Sequence, residues 1–377
     1  LWNKITLDGY EIYLDIIQRS LGMNIKLNRV PGKLADAWYG LYFIFNDNYT
    51  ELMDKYNIKI DPEIEKAFKH IKSKLNIDYA FMELFFRHCS STEEIKAIFP
   101  PFTDSNFIFQ FSTLESYLDF LNNVDEATVK KEFTQKILNF ENNDLKMIDI
   151  LLEDETKLIE QIDTLQISPD LKWRALRFIK KPMKDMREYI ALLNNFFEIY
   201  ESPSFKKHLK KHDAFYYNIE ALDDEGKIPF LKKHLGNYWS ENLIKEKTYL
   251  TTLFLNAVSA IFEEKNDASF MFIGYKFNEL VQQIAGNNEI DKKLLVLKNM
   301  SDSTRFKILM LLKSEDLYGQ QLADKVGITM ATISYHMNFL LAGGMVEMFE
   351  RGHRTYYKLK KEAFKELSEF IQNIFFD

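Results

Sequence analysis

The stretch from Gly319 to Gly344 narrows the fold of this 377-residue chain more than any other. Leu322 and Val326 lie four apart in Gly319–Val326 and predict a short helix with one inward edge, ended by Gly327. Thr329 supplies a capping hydroxyl for a second helix that runs to about Ala342, where Gly343-Gly344 closes it. On a wheel of about 100° per residue, Ile333, Met337 and Leu340 gather on one side, which marks the core. The opposite side shows Ala331, Thr332, Ser334, Tyr335 and Asn338. No charged residue occurs between Thr329 and Ala342. A helix that merely meets solvent ordinarily carries Lys and Glu on its outer face, whereas this face is small, neutral and able to hydrogen bond. Two short helices joined through Gly327-Ile328-Thr329 make a helix-turn-helix. The uncharged face suits a helix that enters a major groove about 12 Å wide and meets base edges.

The flanking segments fit the same design. Upstream, Leu294–Met300 and Thr304–Leu312 form a helical region interrupted at Ser301-Asp302-Ser303, where Asp302 or a serine can cap the second part. Downstream, Val346–Glu350 and Thr355–Leu359 flank the tip Arg351-Gly352-His353-Arg354. Gly352-His353 suits a two-residue hairpin turn. Arg351 and Arg354 then stand at an exposed tip from which guanidinium groups reach phosphates or a minor groove. Thr329 also marks a helix N-terminus whose free N–H groups favour a phosphate. A last amphipathic helix, Glu362–Phe376, carries Phe364, Leu367, Phe370, Ile371, Ile374 and Phe375.

Taken together, Met300–Leu359 resembles the winged helix-turn-helix of ArsR-type bacterial transcription regulators. The matching segments are Met300-Ser301-Asp302-Ser303-Thr304-Arg305-Phe306-Lys307-Ile308-Leu309, Leu322-Ala323, Thr332-Ile333-Ser334-Tyr335-His336-Met337, Gly343-Gly344-Met345-Val346 and Gly352-His353-Arg354-Thr355-Tyr356-Tyr357. The resemblance implies double-stranded DNA as partner, with contacts from Thr329, Met330, Ala331, Thr332, Ser334, Tyr335, His336 and Asn338 on the helix. It implies wing contacts from Arg351, His353 and Arg354. Met330 departs from the polar residue common at its position, His336 suits either contact or internal support, and Tyr356 and Tyr357 suit packing of the wing. The resemblance further implies a homodimer on a two-fold site. Phe364, Leu367, Ile371, Ile374 and Phe375 of the last helix form its natural seam, with ordinary packing onto the rest of the chain as the alternative. Many such regulators sense metals. Here Gly319–Val326 has no Cys and the last helix no His, so neither usual metal site can be assembled, and no metal or cofactor is expected.

Charge separates this module from what precedes it. The net charge is −7, yet Leu294–Lys361 holds 10 Lys and Arg against 6 Asp and Glu. Residues 1–288 read as a mainly α-helical sensor or dimerisation domain with a possible sub-boundary near 100–104, followed by the winged domain at 291–377. Joints fall at Pro100-Pro101, Ser168-Pro169, Ser202-Pro203-Ser204, Asp223-Asp224-Glu225-Gly226 and Gly286-Asn287-Asn288. Lys130 to Leu165 reads as one long amphipathic pattern, and Tyr10 to Ile17 as a strand. The 15% aromatic share fits either a generous core or an aromatic-lined pocket. The longest uncharged apolar-rich stretch, Tyr249 to Phe262, is too short for a bilayer-spanning helix of about 20 residues. The chain opens on Leu1 without a basic-then-apolar signal pattern. With a single cysteine, Cys89, these features lead us to expect a cytoplasmic protein away from membranes.

Other chemistry is weakly signalled. His208 and His212 stand four apart among four lysines and read as a solvated basic face. His88-Cys89 are adjacent, so their side chains diverge and do not pair as base and nucleophile. No phosphate-cradling glycine loop, GxGxxG or GxSxG occurs. The sequence therefore predicts a homodimeric repressor controlled through its N-terminal part by an unknown effector, and not an enzyme. A protein-docking module and an enzyme with an appended regulatory domain are the two alternatives.

Overall fold

The computed structural model describes residues 24–46, 61–75, 84–86, 100–138, 145–165, 167–239, 243–285, 289–351 and 354–376. Tyr10 to Ile17, His88-Cys89 and the joint Gly286-Asn287-Asn288 lie outside the described residues. The fold is mainly α and divides into two compact units.

After strand β1 (Asn24–Leu27), one unit comprises Asn28–Asp213 with the short segment Leu253–Asn256. Its longer helices are α1 (Arg29–Asn46), α2 (Pro62–Lys74), α3 (Leu114–Asn123), α4 (Glu126–Ile137), α5 (Leu145–Glu153), α6 (Glu155–Thr164), α7 (Pro169–Lys180), α8 (Pro182–Tyr200) and the first part of α9 (Pro203–Glu220), with one short helical turn at Ser105–Ile108. Side chains of Asp61, Thr113, Asp125, Asp154 and Ser168 cap α2, α3, α4, α6 and α7, satisfying amides that a helix start leaves without a partner. The amphipathic run Lys130 to Leu165 is thus not one helix. The cap at Asp154 starts α6 afresh, and α4 ends at Ile137.

Rings fill this unit's core. Phe85, Phe133 and Phe178 meet with centroids 4.4 to 5.9 Å apart, and Trp38 Nε1 donates to Tyr189 Oη at 2.8 Å. The same unit buries a carboxylate, Asp36, which accepts from the amides of Phe254 and Leu255 and from the Tyr200 hydroxyl. Burial pushes Asp36 up to about 7, against the opposing effect of those donors. His208 and His212 correct the solvated-face reading. The lysines around them are exposed, but both imidazoles are buried, and His208 Nδ1 lies 3.1 Å from Glu63 Oε2. Among the described residues, no three His, Cys, Asp or Glu side chains are grouped to hold a metal ion, and no helix is long and apolar enough to cross a membrane.

The other unit takes in β1, Ala214–Thr252 and Ala257–Asp377. It contains α10 (Asp224–Leu235), a 3-10 turn at Gly236–Tyr238, β2 (Lys247–Leu253), β3 (Ala260–Lys265), β4 (Ala268–Gly274), α11 (Phe277–Ala285), α12 (Glu289–Ser301), α13 (Ser303–Ser314), β5 (Leu317–Tyr318), α14 (Gly319–Val326), α15 (Met330–Ala342), β6 (Val346–Arg351), β7 (Arg354–Leu359) and α16 (Lys361–Phe375). Strands β1–β4 form one sheet in the order β1-β2-β4-β3, with β1 parallel to β2 and β3 antiparallel to β4. Asn266 and Asp267 both take positive φ, 53° and 59°, as the two central residues of a tight hairpin turn must. The apolar stretch Tyr249 to Phe262 therefore supplies most of β2 and the start of β3. The helical reading of residues 1–288 misses this sheet.

A shared core spans the predicted boundary. Leu231, Leu235, Phe277 and Val281 belong to one buried cluster with Leu309, Leu340, Leu341 and Met345. The texture break at 288–291 thus falls inside a compact unit, because α11 and α15 are buried in the same cluster. The suggested sub-boundary near 100–104 likewise falls inside the other unit.

Candidate nucleic-acid interface

Local chemistry fixes the helices that carry the predicted site. Asp302 Oδ1 accepts from Arg305 N at 2.8 Å and starts α13. Helix α14 ends as the amides of Gly327 and Ile328 return to the Ala323 carbonyl. Thr329 Oγ1 accepts from Thr332 N at 3.2 Å and starts α15. At the other end, Met345 N bonds Leu340 O and Gly344 N bonds Leu341 O, the pairing that closes a helix through a left-handed residue. Gly344 is that residue, at φ 63°. A Cβ on Gly343 would stand 2.8 Å from Asn299 Nδ2, so this turn admits nothing larger.

The sides of α15 follow the wheel. Ile333, Met337 and Leu340 are fully buried. Thr329 is exposed, and Thr332, Ser334, Tyr335 and Asn338 are half-buried. The side chain of Ala331 lies outside the described ones. Two predicted contacts turn inward instead. Met330 is half-buried against the domain core, its Cε 2.7 Å from where a Gly319 Cβ would lie. Its apolar side chain goes where apolar surface leaves water. His336 is buried with Nδ1 3.8 Å from Asp302 Oδ1, which makes it internal support.

That support belongs to a network the sequence reading missed. Asn299, fully buried, donates from Nδ2 to Phe339 O at 2.9 Å and accepts at Oδ1 from Arg305 Nη1 at 2.8 Å. The Arg305 guanidinium lies 4.7 Å from the Phe339 ring centroid, and Phe339 meets Tyr335 at 5.1 Å. Burial would push the Asp302 carboxyl up, but the amide and guanidinium of Arg305, with His336, hold it below the ordinary value. A cap within Ser301-Asp302-Ser303 was legible, and the structure assigns it to Asp302. Its further link to His336 depends on where α15 crosses α13.

The wing forms as predicted, one residue longer on each strand. Arg351 pairs with Arg354 at the end of the β6–β7 ladder, and β5 pairs along the other side of β7. Gly352 and His353 lie outside the described residues, as do the side chains of Arg351 and Arg354. Tyr356 stacks with Phe349 at 5.9 Å and meets Tyr318 at 5.4 Å, while Tyr357 packs against the core. Both tyrosines therefore serve packing.

The last helix divides its residues. Leu367 is buried, and Phe364 and Ile371 pack partly against the same core, the alternative to a seam. Ile374 and Phe375 remain 53% and 75% exposed. On α12, Ile290, Leu294 and Leu297 are exposed too, and Lys293 Nζ meets Glu366 Oε2 at 2.6 Å, tying α12 to α16. The sequence reading placed no seam residue on α12.

Comparison with known proteins matches this part of the chain. The family model for the bacterial regulatory protein, arsR family, covers residues 302–348. Over 78 residues the chain is 32% identical to the transcriptional repressor SdpR of Bacillus subtilis (strain 168), spanning 21% of this chain and 87% of that protein. It is 29% identical over 92 residues to the uncharacterized HTH-type transcriptional regulator YbzH of the same strain, spanning 20% and 92%. Among solved structures, an ArsR-like transcriptional regulator from Rhodococcus sp. RHA1 is 26% identical, covering 22% of this chain and 78% of that one at a TM-score of 0.22. The N-terminal part of the chain has no family match.

Proposed function

Through its C-terminal winged helix the chain belongs to the arsR family of bacterial regulatory proteins, and from that premise we propose that it is a transcription regulator that binds double-stranded DNA in a sequence-specific manner. The observation that carries this reading is the outer side of α15. Its N-terminal half presents Thr329, Thr332, Ser334 and Tyr335 on an uncharged surface, backed by a fully buried inner side. Neutral hydrogen-bonding side chains on a rigid helix are what direct reading of base edges requires. Arg351 and Arg354 at the end of the wing ladder supply cations for the phosphate backbone, the source of affinity without sequence preference.

The protein acts as a homodimer in this proposal. Exposed Ile290, Leu294 and Leu297 on α12 and Ile374 and Phe375 on α16 supply apolar surface that a second copy removes from water. Two copies related by a two-fold axis match a two-fold DNA site. The relative SdpR is a transcriptional repressor, which supports repression by promoter occlusion here. The proposal places the chain in the cytoplasm and assigns it no catalysis and no cofactor.

The test is selection of bound duplexes from a random pool, with affinity read at two salt concentrations. The expected result is an enriched two-fold motif whose half-sites lie about 10 bp apart, or a multiple of that. Binding that enriches no sequence at either salt concentration would sink the proposal and favour a protein-docking role for the winged helix.

A further inference from the structure

The carbonyl end of α15 is held partly by residues from outside the winged helix. Within that fold, the amides of Gly343, Met345 and Gly344 take the carbonyls of Phe339, Leu340 and Leu341. The last carbonyl of the helix, Ala342 O, accepts from Asn237 Nδ2 at 3.3 Å. One turn earlier, Asn338 O accepts from the Tyr238 hydroxyl at 3.0 Å. Both donors sit in the turn Gly236–Tyr238, far upstream of the residues that match the family model. The Tyr238 ring is buried and meets Phe277 of α11 edge-on at 5.2 Å, so the packing of its ring aims its hydroxyl. Asn237 is fitted as closely, since its Nδ2 would stand 3.2 Å from a Cβ on Gly344.

A helix that reads bases must hold its angle, because a small tilt at one end displaces side chains at the other. Thr332 stands six residues from Asn338, about 9 Å along the axis. The winged helix restrains α15 through its buried side and through Asn299, which holds Phe339 O. The turn Gly236–Tyr238 adds two donors on the same C-terminal turn, to Asn338 O and Ala342 O. We infer that Asn237 and Tyr238 are positioning residues for the base-reading end of α15, and that elements upstream of the winged helix act on DNA recognition through this turn. The inference rests on the DNA-binding role proposed above. A ligand or partner that favours one setting of Gly236–Tyr238 must, by linkage, favour one DNA affinity.

Tyr238→Phe in the full chain isolates the idea, because the ring and its packing on Phe277 remain while the donor is lost. Asn237→Ala removes the second donor independently. Two readouts are needed. One is amide hydrogen exchange across 338–345 without DNA. The other is affinity for the duplex selected with the parent protein against a random-sequence duplex, at two salt concentrations.

The expected result is faster exchange at 338–345 and a fivefold or greater loss of preference for the selected duplex, with random-duplex affinity and salt slope unchanged. Unchanged exchange overturns the inference, as does preserved preference. An equal fall of both affinities alongside a lower unfolding midpoint also overturns it, since that is general destabilisation. A parent protein that enriches no duplex defeats the DNA-binding reading itself. A parent that enriches one, with variants that keep its preference, defeats the positioning role alone.

Discussion

At the scale of single residues, what matters most is which polar groups the fold takes out of water and what it gives them in return. Asn299 is the clearest case, with a donor and an acceptor both used while it is fully buried. Asp36 is less completely matched. Four donors face it, the amides of Phe254, Leu255 and Asn256 and the Tyr200 hydroxyl, yet burial still raises its carboxyl from an ordinary 3.8 to about 7. The folded protein therefore binds a proton at Asp36 that the unfolded chain has already lost between those values. The stability this lends is complete below the ordinary value and disappears as pH rises through about 7. Replacing it by Asn keeps the side chain neutral at every pH. Between pH 5 and pH 8, the parent is expected to lose about 2–3 kcal/mol relative to Asp36→Asn. Urea unfolding of both proteins at the two pH values measures this, and parallel losses would show that Asp36 does not titrate in that window.

Elements show how the site divides its labour. Helix α15 turns one side wholly inward, which leaves a narrow outer strip from Thr329 through Thr332 and Tyr335 to Asn338. Asn338→Ala is expected to relax preference at one base-pair position by about 1–3 kcal/mol while sparing general affinity. In the proposed reading the wing contributes charge, not information. Arg354→Ala is expected to weaken binding to every duplex alike and to lower the salt slope by about 1. Affinities at several salt concentrations on selected and random duplexes separate the two effects. A wing variant with the parental slope would remove Arg354 from the interface.

The whole molecule joins a family-sized DNA-binding module to upstream elements within one compact unit. Its exposed apolar surface on α12 and α16 is the proposed seam between copies. Leu294→Glu together with Phe375→Glu places two charges there without touching the buried cluster, to which neither residue belongs. The double variant is expected to sediment as a monomer where the parent is a dimer. Its affinity for a two-half-site duplex should fall about tenfold or more, because the half-sites no longer bind as one linked pair. A parent that sediments as a monomer while bound to such a duplex would refute this seam.

The sequence by itself determined what depends on neighbours along the chain. Capping by Asp302 and Thr329, the inward run Ile333, Met337 and Leu340, the closing glycines and the hairpin wing all follow from preferences acting over a few residues. They were enough to place the family and most of the outer strip of α15 proposed to face DNA. Tertiary structure decided whatever depends on partners distant in sequence. The strand Asn24–Leu27 means little until it pairs with Lys247–Leu250, and β2 and β3 are hidden in one apolar run until β4 folds beside them. His208, His336 and Met330 look available on a helical wheel, and only the elements packed over them take them from water. The support of α15 by Asn237 and Tyr238 is of the same kind. Hydrogen bonds between residues a hundred positions apart leave no local period in the sequence, because the geometry that makes them exists only once the core has closed.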